Sequence, residues 1–475
     1  MRISRSLVVP LLVVAAITFT GCKAGQSDIE SWGDTVKGPQ KLAAVILSDR
    51  YSTELKTAAA LTMVEMERQD VNGLTLLSDS LKQLGQSNAE ELPKIIVGMM
   101  QPLQSLMQKK SDKENELLNE SIRAKDAAFV LIPYADAAEK DSLTKSLIGW
   151  YAEDFAGRSL AGNYSADQVT RALGAPAAKQ LVGALNDKMP EAALIKIAEV
   201  ISGQGDAATK QAAAKRLVEI ETKMESKEFL QWMNQLISAQ YAAQSASGDE
   251  KPDAQRVAAV ALAYREKRIT DGVLPAMKYF AGEEAVQSRL MAIANTTPAA
   301  SDSEAWKEII TARRSRALQA LEGKATRKNL DALLQIALSS DNPISVRDDA
   351  FDRVGDIGSS DAIPRLWPLV QATGCTSTPC SASAELAQRL RWRAGELVLA
   401  IGGATIVRDV LNRLPAARGV YYEPGELAGY AMRMSQMTPP PTSVMRAEFG
   451  SADWWKRVIA LRFIERRAMH PISSE

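Results

Sequence analysis

Residues able to do chemistry are scarce in this chain of 475 residues. Its one histidine, His470, stands close to the C-terminal end beside Pro471, so a Ser–His–Asp or Cys–His arrangement has a single, badly placed base. No HExxH, GxxxxGKS or GxGxxG pattern occurs. The cysteines are Cys22, Cys375 and Cys380. The last two lie in "ATGCTSTPCSAS", a polar segment with Gly and Pro. In an oxidising compartment Cys375 and Cys380 are expected to close a small disulfide loop; a metal site is the alternative, but two thiols without a nearby histidine are too few for structural zinc. The adjacent acids Asp348 and Asp349 read as a solvated helix face. An enzyme working through Asp and Glu leaves no spacing signature and stays as the second reading. No catalytic, metal or cofactor residues are assigned.

Cys22 has a different chemistry. The chain opens "MRISRSLVVPLLVVAAITFTGCKAG": Arg2 and Arg5 precede a mostly apolar run from Leu7 to Phe19. That is the shape of a secretory signal, and the run is too short for a comfortable membrane span. Phe19, Thr20, Gly21 and Cys22 resemble a bacterial lipobox, with Phe19 in place of the usual Leu. The resemblance implies cleavage before Cys22, which is then diacylated on sulfur and acylated on its new amino group. Three acyl chains anchor far more firmly than the one that gives marginal binding. Lys23, where an Asp would favour inner-membrane retention, tilts the expectation to the outer membrane, facing the periplasm.

Composition speaks mainly by exclusion. Lys plus Arg and Asp plus Glu each number 57, so there is no global field to draw in nucleic acid. Without residues 1–21 the side-chain charge is −2. Hydrophobic residues make up 46% and aromatics only 5%, with Ala abundant, which favours closely packed helices. Helical periodicity dominates from Lys41 onward, and no convincing alternating strand occurs.

One stretch, "ISVRDDAFDRVGDIGSSDAIPRLWPLV" from Ile344 to Val370, acts as a ruler. Shifted by 44 residues, Arg347, Ala350, Val354 and Gly358 fall on Arg391, Ala394, Val398 and Gly402. Shifted back by 33, Arg347, Ala350 and Val354 fall on Arg314, Ala317 and Leu321. Ile363, Leu366 and Val370 likewise find apolar partners in both directions. The cysteine segment accounts for the longer spacing and reads as an insertion. Val346, Ala350, Val354 and Ile357 share one helix face, Gly358 suits a left-handed helix end, and Pro364 fits the first turn of the next helix. Weaker copies place Lys56, Ala59 and Met63, then Arg256, Ala259 and Ala263, then Arg457, Ala460 and Ile464 in the same roles. Such a hairpin cannot bury its apolar face alone; stacked neighbours bury it together.

This pattern resembles the HEAT family in its short bacterial form, over residues 314–414 most clearly and over 42–81 and 255–290 less so. The resemblance implies an all-α, right-handed α-solenoid whose curved surface holds a protein partner, with no shared catalytic residues. The expected organisation is residues 1–21 as signal, 22–40 as lipidated N-terminus and flexible tether, 41–300 as degenerate helical repeats, 301–417 as clear repeats with the cysteine insertion, and 418–475 as a Tyr/Pro connector with a capping helix. Two surfaces stand out for a partner in the cell envelope. One is the connector from Arg418 to Val444, with Tyr421, Tyr422 and Tyr430. The other is the last helix, where Trp454 and Trp455 precede several arginines and could meet phospholipid headgroups or an acidic partner. Packing of these tyrosines and tryptophans on the end of the array is the structural alternative. Nucleic acid and small-molecule cofactors are not expected.

Overall fold

The computed structural model describes residues 24–67, 71–111, 117–245, 253–376, 379–416 and 419–469. Cys22, the signal residues, Arg418 and His470 lie outside the described residues. Among the described residues every regular element is a helix. Contacts divide the chain into two compact units at 169/170. Helices on either side of 300/301 and 417/418 pack directly on each other.

The first unit holds α1 (Gln26–Trp32), α2 (Gly38–Leu47), α3 (Thr53–Glu65), α4 (Gly73–Ser87), α5 (Leu92–Gln108), α6 (Asn119–Leu131), α7 (Ala137–Glu153) and α8 (Phe155–Arg158). The flexible tether expected over 22–40 is corrected here. α1 is a helix lying on α2 and α3, and Ile29 is fully buried. Burial of Ile29 against α2 and α3 offsets the entropy of ordering so polar a segment. Lys56, Ala59 and Met63 of α3 all point into the core, as their spacing requires. Asn72 starts α4 by accepting from the amides of Leu74 and Thr75, and Asp136 and Glu139 close a capping box at α7.

The division falls within α9 (Ala166–Leu173). The second unit continues through α10 (Ala175–Ala184), α11 (Glu191–Gln204), α12 (Ala207–Met224), α13 (Lys227–Ser245), α14 (Ala254–Lys267), α15 (Leu274–Lys278) and α16 (Glu284–Ala294). A π-helical turn over Arg268–Val273 joins α14 to α15. The copy framed on Arg256, Ala259 and Ala263 is out of register: all three are exposed, and Ala261, Arg265 and Ile269 face inward. An Ala-rich helix carries small residues on several faces, so the Arg-to-Ala spacing alone did not select the buried one.

Then come α17 (Glu304–Ala320), α18 (Leu330–Leu338), α19 (Ile344–Ile357), α20 (Ile363–Val370), α21 (Ala382–Gly402), α22 (Val407–Arg413), α23 (Pro424–Ser435), α24 (Thr442–Glu448) and α25 (Trp454–Met469). α17, α19, α21, α23 and α25 pack each on the next, while α18 lies against α19 and α20 against α21. The residues matched across the sequence copies hold matching places: Ala317, Ala350 and Ala394 are fully buried, as are Leu321, Val354 and Val398. Gly358 ends α19 with φ +62°. At α21 the left-handed residue is Gly403, one position beyond the aligned Gly402. The expected connector contains a full helix, α23. Tyr430 is fully buried, and Tyr422 and Trp455 nearly so. All three are core side chains and not exposed partner contacts in this structure: the Tyr422 ring stacks on Trp455 at 5.2 Å, and the Tyr430 hydroxyl lies against Arg391 and Glu426. Tyr421 and Trp454 keep 52% and 48% of their surface exposed. The third copy on α25 fails at Ile464, which is exposed while Phe463 is buried.

Candidate functional site

The arginine that opens each clear copy is the first side chain to explain. Arg314 donates from Nε to the carbonyl of Ala294 at 2.9 Å, and Arg347 donates to that of Ala337 at 2.9 Å. Arg391 donates to the carbonyls of Ala372 and Thr373 at 3.2 and 2.8 Å. For Arg314 and Arg347 the guanidinium satisfies a carbonyl in the last turn of the preceding helix, where intrahelical donors run out, and for Arg391 it satisfies carbonyls just beyond the end of α20. The repeated arginine is therefore a clamp between successive helices.

Arg391 does more than its counterparts. It is 0% exposed, pairs with both oxygens of Glu426 at 2.8 and 2.7 Å, and donates to the Tyr421 carbonyl at 3.1 Å. Its guanidinium lies 4.4 Å from the Tyr422 ring centre. The Tyr430 hydroxyl, 3.2 Å from both, donates to the Arg391 carbonyl or to Glu426. Burial pushes the Glu426 carboxyl up, against the pull of the guanidinium, and drives the Tyr430 phenol well above its ordinary range. This network fastens residues 372–376 and 421–426 to α21.

Those two fastened segments form walls of an open cleft of about 1040 Å³. Cys375 and Cys380 close a disulfide with Cα atoms 5.5 Å apart and line one wall together with Thr376. The Tyr421 amide donates to the Cys375 carbonyl at 3.0 Å, joining that wall to the segment carrying Tyr421 and Glu423. The third side is one stripe of α21: Glu385, Gln388, Arg389, Trp392, Arg393 and Glu396. These recur at three- and four-residue steps, so the stripe was readable from helical periodicity. The stripe is mostly charged, so it lacks the apolar signal that marks the buried face of the same helix.

Asp348 on α19 completes the cleft. It pairs with Arg389, and Asp352 one turn on pairs with Arg393. Its neighbour Asp349 instead accepts from Ser315 on α17. The adjacent acids thus serve opposite neighbours and do not form one carboxylate site. Glu385, Glu396 and Glu423 have no ion-pair partner among the described residues. Gln388 is 5% exposed, and its buried carboxamide oxygen has no hydrogen-bond partner among the described residues. Trp392 rests against Gly425 and Gly429 of α23, where an added methyl on Gly429 would approach the indole nitrogen to 2.8 Å.

Carboxylates buried elsewhere are each held by a cation. Arg289 bridges Glu221 and Glu225 at 2.6 and 2.7 Å, and Arg313 bridges Glu225 and Glu266 at 2.7 and 2.6 Å. Burial pushes the Glu221 carboxyl up, and the bond from Arg289 opposes this. In the first unit, Lys125 is buried beside Asp126 and donates to the carbonyls of Ala161 and Tyr164 at 2.8 and 2.7 Å. Desolvation lowers the Lys125 ammonium, and the ion pair with Asp126 resists it. No group of three or more metal-ligating side chains occurs among the described residues.

No protein-family model matches the chain, and no curated protein matches it either. Among solved structures, the chain is similar to an engineered protein determined in a structural genomics programme. Identity is 16%, covering 90% of this chain and 98% of that one, with a TM-score of 0.21. At that score the likeness carries no argument.

Proposed function

We propose that this protein is a lipid-anchored scaffold of the bacterial cell envelope. In this reading a right-handed α-solenoid of HEAT-like hairpins holds a protein partner, and the chain performs no chemistry of its own. The carrying observation is the open cleft at α21, built on helices that succeed one another with an arginine clamp at Arg314, Arg347 and Arg391. A stack of hairpins exposes one continuous face along its length, and concave, partly aromatic, polar-lined clefts suit a protein segment. Of the residues singled out in the sequence, Tyr421 remains at this cleft, half-exposed on its rim.

The envelope address rests on the signal-shaped N-terminus and Cys22. An acid–base enzyme of the envelope, the competing reading, requires a pair of acids sharing a secluded site. The buried Glu221, Glu266 and Glu426 are instead each bound to a guanidinium, and of the cleft acids without an ion-pair partner among the described residues Glu385 and Glu423 are exposed, which supports binding over secluded acid–base chemistry.

A photoreactive residue at Tyr421, activated in intact cells, tests the partner reading. A discrete protein adduct is expected, absent when the same residue replaces the buried Phe351. Repeated recovery of uncrosslinked chain alone would sink the proposal. In the same cells, label from a palmitate analogue should follow the chain and disappear with Cys22→Ala; label that persists would remove the lipid anchor from the reading.

A further inference from the structure

We infer that the α21 cleft takes a basic segment of a polypeptide, reading its lysine or arginine side chains. The inference rests on the partner reading above and names the chemistry of what enters the cleft.

Among the described residues the charges at the cleft do not cancel. Arg389 and Arg393 are each paired with an aspartate of α19, which offsets their positive charge. Glu385, Glu396 and Glu423 line the same space without a cation among the described residues. Glu385 and Glu396 lie eleven positions apart on α21, about three turns, so the negative character extends along the cleft. Glu423 answers them from the facing wall.

Two further features favour the same ligand. Tyr421 and Trp392 present aromatic rings to the cleft, and ring faces attract ammonium and guanidinium groups. Gln388 supplies an independent observation: it lines the cleft almost wholly out of water, and its carboxamide oxygen accepts no hydrogen bond among the described residues. A buried acceptor left unmatched is costly, and a ligand N–H would satisfy it. The terminal amide torsion of glutamine is broad, so the oxygen can turn toward an incoming donor. Carboxylate, ring face and carboxamide oxygen all accept from N–H groups on a cation. A cleft of about 1040 Å³ exceeds the needs of one side chain and accommodates several residues of chain. The near-neutral molecule has no long-range field to gather cations, so selection is local to these groups.

The test is fluorescence anisotropy of a short labelled peptide alternating lysine and alanine, added to the full chain at low salt. The peptide is expected to bind, and the same peptide with glutamate for lysine is not. The triple variant Glu385→Gln, Glu396→Gln, Glu423→Gln should weaken binding about tenfold, and Tyr421→Ala a few-fold. If the triple variant loses its far-ultraviolet helical signal, the double variant Glu385→Gln, Glu423→Gln, changing only exposed side chains, carries the comparison. Equal binding of the acidic peptide, or unchanged affinity in the variants, would overturn the inference. So would displacement by spermidine at the peptide's own concentration, because a cleft filled by any polyamine does not read a polypeptide. The triple variant also separates this inference from the partner reading. A Tyr421 adduct that survives it rejects the basic segment while the scaffold stands. A lysine peptide that binds where no adduct forms in cells supports the inference and rejects the scaffold.

Discussion

Arg391 carries a full charge with no exposed surface, and its neighbours show how that is tolerated. Both oxygens of Glu426, the carbonyls of Ala372, Thr373 and Tyr421, and the face of Tyr422 surround it. Removing one member of such a pair strands the other charge in the interior. Arg391→Met should therefore cost about 3–5 kcal/mol in chemical denaturation. Arg347→Met, which breaks a bond to the Ala337 carbonyl and strands no buried charge, should cost about 1–3 kcal/mol. Equal losses at the two sites would show that Glu426 is not the decisive partner. The sequence displayed this arginine as a repeated letter in three aligned copies. Its contact with the preceding helix was legible there only as spacing, and its second contact with Glu426 was not, because 35 residues separate the two and no copy elsewhere repeats the pair.

At the scale of elements, α21 is where competing demands meet. Gly395 sits mid-helix, where alanine is favoured by about 1 kcal/mol on propensity alone. A methyl there would come within 2.6 Å of the Tyr430 hydroxyl, a buried group fixed by hydrogen bonds to Arg391 and Glu426. The clash outweighs the propensity, so Gly395→Ala should lower stability by about 1–3 kcal/mol. A stabilised variant in thermal unfolding would contradict that account. The same helix explains the divided fate of the connector residues. Residue type marks Tyr422 and Tyr430 as interface candidates, and type cannot say which side of a helix or segment meets the core. Tyr421 and Tyr422 are neighbours in the chain, yet the first rims the cleft and the second is buried on Trp455. Adjacent side chains in an extended segment point to opposite sides, and only the packing surface decides which side is inside.

For the whole molecule, stacking predicts local rather than global failure. If α17, α19, α21, α23 and α25 are held chiefly by nearest neighbours, damage should spread only to adjoining hairpins. Hydrogen exchange of Arg391→Met should rise in α19 to α25 and stay unchanged in α10 to α12. A uniform rise from Thr170 onward would mark that unit as one cooperative body and count against a solenoid.

Local sequence settles that the described residues are helical, that Val346, Ala350 and Val354 form a buried face, and that Gly358 ends its helix. Those properties follow from periodicity, residue size and backbone preference, which act over a few residues. Only the tertiary structure decided that residues 26–32 pack as a helix, that α14 buries Arg265 and not Arg256, that Asp348 and Asp349 serve different neighbours, and that Glu385, Glu396 and Glu423 converge on one cleft. Each of these depends on which surfaces meet across tens of residues. Free energy there comes from buried area and paired charge, and neither is a property of a short stretch of chain.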